Sequence, residues 1–130
     1  MMMEHVHNEI ARFAFETVER VRDSKEFRSL ARSFPSMIQV NGLGAAVAFL
    51  YSKVNSGNIP YKKMYEMIDQ WTKKRFCQET ECKESLVERI VGLDTNSYRL
   101  YESEVMNLCL WVKRFAEGMI DSDAEGDKQK

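Results

Sequence analysis

The chain has 130 residues, a formal net charge of −1, 44% hydrophobic residues and 30% charged residues. That length holds one hydrophobic core and is short for two ordinary domains, and the balance of apolar and charged residues excludes both a disordered chain and a membrane-embedded one. The longest strongly apolar stretch, Leu43 to Tyr51, is less than half of a bilayer span, and the opening MMMEHVHNE carries no hydrophobic signal core, so a cytoplasmic protein is expected.

Val6, Ile10, Phe13, Ala14, Thr17, Val18 and Val21 recur in steps of three and four, which predicts a long amphipathic first helix. Phe27, Leu30, Ala31 and Phe34 repeat the pattern up to Pro35, whose ring disfavours helical geometry at the residue before it. A shorter helix ending at Phe34 is therefore expected, with Pro35 opening a further turn through Met37, Ile38 and Val40 that stops at Asn41-Gly42. Leu43 to Lys53 reads as a helix apolar nearly all round and hence central. Its Gly44, Ala45, Ala46 and Ala48 suit close packing better than a phosphate loop, because no strand precedes them.

After the turn Asn55 to Pro60, the residues Tyr61, Met64, Tyr65, Ile68 and Trp71 mark another amphipathic helix, which ends on Lys73, Lys74 and Arg75. Leu86, Val87 and Ile90 mark a short helix closed by Gly92, with Leu93 placed for a Schellman ending. Asp94 to Asn96 supply N-cap candidates for the last helix. There Tyr98, Tyr101, Val105, Leu108, Val112, Phe115 and Met119 form a strict seven-residue seam. No segment alternates as a strand does. The expected fold is all-α: a compact single-domain bundle of about six helices over residues 1–120, first and last longest, followed by a disordered acidic tail at 121–130.

The charge is unevenly laid out. Residues 61–75 carry Lys62, Lys63, Lys73, Lys74 and Arg75 against Glu66 and Asp69, whereas the next stretch holds Glu79, Glu81, Glu84, Glu88 and Asp94. The two histidines, His5 and His7, lie in the first turn, so the folded body offers no imidazole for acid-base work near neutral pH. Cys77, Cys82 and Cys109 match no zinc spacing and are expected as free thiols of a reducing compartment. The acidic residues from Glu79 to Glu88 fall on several helix faces and are read as solvated rather than convergent on a cation. No enzyme activity, catalytic residue, metal or cofactor is expected.

The stretch RSFPSMIQVNGLGAAVAFLYSK, Arg32 to Lys53, resembles the small subunit of the type III-B CRISPR (Cmr) RNA-targeting effector complex. The likeness lies in a proline-led turn, the Asn41-Gly42-Leu43 junction and a small-residue helix that runs through Ala48-Phe49-Leu50 to Lys53. A second block is similar to the family's C-terminal helix: Tyr98-Arg99, then Glu104, then WVKRFAE from Trp111 to Glu117. Cys77 to Glu84 and the acidic tail match no family motif.

The resemblance implies a non-catalytic structural subunit that assembles along the backbone subunits, with the large subunit and further copies of itself as other protein partners. It also implies a role in holding guide RNA and target RNA for antiviral RNA silencing, cleavage being assigned in that family to the backbone subunit. No membrane and no small-molecule substrate enter that function. Charge and geometry put the RNA-binding residues at Lys53, Lys73, Lys74, Arg75, Lys113 and Arg114, which could form one basic face. The alternative is a helical protein-protein adaptor without direct RNA contact, the basic cluster being an ordinary helix ending.

Overall fold

The three-and-four spacing of apolar residues becomes helix in every segment where it was expected, although Val21 at the end of the first stripe lies in a turn. The computed structural model describes residues 2–77 and 82–121, with side chains from Glu9 onward. Glu79, Glu81, the histidine side chains and residues 122–130 of the expected tail lie outside the described residues. In chain order the helices are α1 Met2–Glu19, α2 Lys25–Asn41, α3 Leu43–Val54, α4 Ile59–Phe76, α5 Leu86–Val91 and α6 Thr95–Met119, with no strand among the described residues.

At 25 residues α6 is the longest element, and α1 and α4 share a length of 18. It packs against α1, α2 and α4, while α3 packs on α2, α4 and α5. The seam explains this arrangement: Tyr101, Val105, Leu108 and Val112 are buried, and Tyr98, Phe115 and Met119 lie at its half-buried margins. Ile10, Ala14 and Val18 of α1 join the same core, with Phe27, Phe34 and Ile38 of α2, Leu43 and Leu50 of α3, and Met64, Ile68 and Trp71 of α4.

Three local expectations are corrected. Pro35 does not end a helix, since α2 runs through it to Asn41. Phe27, Leu30, Ala31, Phe34, Pro35 and Ile38 are all buried on one stripe, and burial along the whole stripe offsets a cost of about 3 kcal/mol for an interior proline. α3 is not central: Leu43, Ala46, Val47 and Leu50 are buried, but Ala45, Ala48 and Tyr51 are exposed. Alanine is favourable on a solvated helix face as well as inside, so the apolar count overstated burial. The ending of α5 is not a Schellman motif, because Gly92 has φ −92° and donates to Glu88 and Arg89 carbonyls within an ordinary turn.

The helix starts follow side-chain capping. Ser24 Oγ accepts the Phe27 amide at 3.0 Å. Ser85 and Glu88 make a reciprocal capping box on α5. Asp94 Oδ1 accepts the Ser97 amide at 2.7 Å, and that hydrogen bond holds the Asp94 carboxyl below its ordinary pKa. No helix among the described residues is long and apolar enough to cross a membrane.

Candidate nucleic-acid interface

Lys73, Lys74 and Arg75 occupy the last turn of α4, where cations are favoured by the unpaired carbonyls of a helix C-terminus. Their environments differ. Arg75 Nε donates to Glu104 Oε2 at 3.0 Å, and the same oxygen accepts Trp71 Nε1 at 2.8 Å. Trp71 is fully buried, so its indole needs that partner. Glu104 thereby ties α4 to α6, and Arg75 is committed to the tie.

Lys73 Nζ stands 3.5 Å from the half-buried Asp69 Oδ2 in an (i, i+4) pair, an arrangement worth about 0.3 to 0.5 kcal/mol on a helix surface. Lys74 Nζ lies 5.9 Å from the centroid of the Trp71 ring. Both side chains are exposed, so two cations remain available to an anionic partner beside one that is locked.

The other candidates stand elsewhere. Lys53 Nζ sits 5.6 Å from the Phe49 ring and 5.9 Å from Tyr61, near the start of α4, and from Tyr61 to Lys73 the helix rises about 18 Å. Lys113 lines a groove between α2 and α6 with Pro35, Ile38, Gln39, Arg99 and Met106. Glu104 faces α4, whereas Lys113 faces α2, on the other flank of α6. Arg114 is exposed beside it. The structure thus brings Lys73, Lys74 and Arg75 together and distributes Lys53, Lys113 and Arg114 over two further places.

Sequence reasoning missed Arg89. It is 8% exposed, yet its Nη1 donates to Asp69 Oδ1 at 2.9 Å and its Nη2 to Thr72 Oγ1 at 2.7 Å. Its place beside Ile90 and one turn after Leu86, on the buried face of α5, was the available signal. Also missed were the α6 side chains that receive the first amides of α3: Leu43 N donates to Glu102 Oε2 at 2.9 Å and Gly44 N to Tyr98 Oη at 2.7 Å.

The expectation of three free thiols is corrected as well. Cys77 and Cys82 are joined by a disulfide with Cα atoms 6.0 Å apart. The helix end and the segment before α5 converge there, which sequence spacing did not show. Cys109 is the free cysteine, and burial pushes its thiol up to about 12, far from a nucleophile at neutral pH. Among the described residues no group of three or more His, Cys, Asp or Glu could hold a metal ion.

Both blocks that carried the sequence resemblance meet at one place, Gly42 to Gly44 against Tyr98 and Glu102. The model of a family described as CRISPR-associated protein (Cas_Cmr5) matches residues 6–119, from α1 to the last residue of α6. With most of α1 and the whole of α2 to α6 inside that match, the chain belongs to the CRISPR-associated Cas_Cmr5 family.

Proposed function

We propose that this chain is a non-catalytic, cytoplasmic structural subunit of a type III-B CRISPR ribonucleoprotein, assembling along its backbone subunits and helping to hold guide RNA with target RNA. The observation that carries the reading is the family match over residues 6–119. The last turn of α4 supports the RNA part, with Lys73 and Lys74 exposed on a helix end fixed to α6 through Arg75 and Glu104. Cations on a rigid edge suit phosphates of any sequence, which a subunit serving many guides requires.

A protein-only adaptor is the second reading. It is favoured by the ion pair of Arg75 with Glu104, which commits one of the three cations internally, and by the weaker pair of Lys73 with Asp69.

The test is purification of the native complex through a tag on this chain, with identification of copurifying proteins and nucleic acid. Backbone subunits together with a short guide RNA that crosslinks to this chain are expected. Backbone subunits with RNA that crosslinks only to other chains would select the adaptor. The purified chain alone should leave single-stranded RNA intact with or without divalent metal. Cleavage that vanishes on mutating Glu84 or Glu88 would overturn the non-catalytic reading.

A further inference from the structure

We propose that Cys77 and Cys82 form a reversible redox site, a dithiol that exchanges with low-molecular-weight disulfides and whose oxidised form fastens the basic end of α4 to the segment leading into α5.

The fold has little need of the bond. Neither cysteine belongs to the hydrophobic core or to the partly buried residues packed on it. The two are separated by 5 residues in sequence, and a short closed loop removes less chain entropy from the unfolded state than a long one. A cross-link the core does not require can form and break without loss of the fold.

Access favours exchange at this pair, because both cysteines are only partly buried and exchange requires that a small disulfide reach the sulfur. Cys109 is buried with its thiol raised to about 12, so it does not compete. In a reducing compartment a protein disulfide of this kind is typically transient or redox-sensing.

Position gives the bond a local consequence. Cys77 is the C-cap of α4, its amide donating to the Lys73 carbonyl at 3.0 Å. Cys82 leads to Ser85, the cap of α5. Arg89 of α5 returns to Asp69 and Thr72 of α4. Arg89 thus ties α5 itself to α4, while the disulfide ties the segment before α5 to the very end of α4.

Oxidation balances with a small disulfide RSSR. One cysteine thiolate attacks a sulfur of RSSR, forming a mixed disulfide and expelling RS⁻. The second cysteine thiolate attacks the protein-bound sulfur, forming the Cys77 to Cys82 bond and expelling the second RS⁻. Two electrons pass from the cysteine pair to RSSR, and the two thiol protons end on two RSH.

The full chain is equilibrated with reduced and oxidised glutathione at varied ratios, quenched with acid, alkylated and weighed by peptide mass spectrometry. The proposal expects Cys77 and Cys82 to pass together from doubly alkylated to unreactive as the ratio becomes oxidising, with buried Cys109 carrying no glutathione adduct at any ratio. Hydrogen exchange at the amides of residues 73–77 should speed up several-fold on reduction, with the α6 amides around Leu108 unchanged. Cys77→Ser and Cys82→Ser should each abolish the redox response of residues 73–77.

Cysteines that stay alkylatable in fully oxidised buffer would overturn the site. A bond that survives fully reduced buffer would overturn its reversibility. Exchange at residues 73–77 that ignores the redox state would overturn the fastening.

Discussion

The Tyr98 hydroxyl of α6 accepts the Gly44 amide of α3 at 2.7 Å. Gly42, the N-cap of α3, has no side chain to receive those first amides and sits at φ +91°, where other residues are strained. Tyr98 and Glu102 therefore do from across the bundle what a serine or aspartate N-cap does locally. Tyr98→Phe should cost about 0.5 to 1.5 kcal/mol, leaving the Gly44 amide without its partner. Urea unfolding of the variant measures this, and an unchanged midpoint would show that water replaces the hydroxyl.

Leu108 is fully buried in the seam of α6 and should lose about 2 to 5 kcal/mol on replacement by Ala. Phe115→Ala should cost less, because Phe115 is only half-buried, edge-on to Phe15 and stacked on Trp111. Equal losses in thermal or chemical unfolding would contradict this order.

Arg89→Ala should destabilise by about 1.5 to 3 kcal/mol, through the lost bonds to Asp69 and Thr72. Asp69 keeps Lys73 and some water, which limits the penalty. A loss below 0.5 kcal/mol, the ordinary range of a surface substitution, would show that Arg89 is a solvated side chain in solution.

Acid should weaken the start of α6. The Asp94 carboxyl is held below its ordinary 3.8 by the Ser97 amide, so its contribution is present above the unfolded value and is lost as pH falls through the folded one. Asp94→Asn retains a capping oxygen but no titrating group. The melting temperature of the variant should match wild type near pH 7 and decline less steeply below about pH 4. Parallel declines would assign the acid sensitivity to other carboxylates.

For RNA, Lys73→Glu with Lys74→Glu is the informative pair. Arg75 stays, because a carboxylate there would face Glu104 and disturb the tie to α6. Each phosphate contact removed should reduce the salt slope for single-stranded RNA by about 0.7 in the assembled complex. Lys53→Glu and the Lys113→Glu, Arg114→Glu pair test the two other locations separately, and charge reversal of Lys62 and Lys63 controls for overall charge. Unaltered slope and retention in every variant, with assembly intact, would leave the adaptor reading.

The sequence alone determined the helical class and the start of α6, because a three-and-four apolar stripe and a capping aspartate are local signals. It also showed the basic end of α4 and, through the blocks at Arg32 to Lys53 and Tyr98 to Glu117, the family that the match over residues 6–119 bears out. Most of what escaped it depends on neighbours distant in the chain. Pro35 stays inside α2 because burial of the whole stripe outweighs a local preference. Arg89 is buried because Asp69 and Thr72 of another helix accept from its two terminal nitrogens, although its Nε has no partner. Cys77 meets Cys82 because the end of α4 and the approach to α5 converge. The six candidate cations look alike in sequence, and only tertiary packing decided that Arg75 is bound to Glu104 while Lys73 and Lys74 stay exposed beside it, since an ion pair between helices has no local pattern from which to be read.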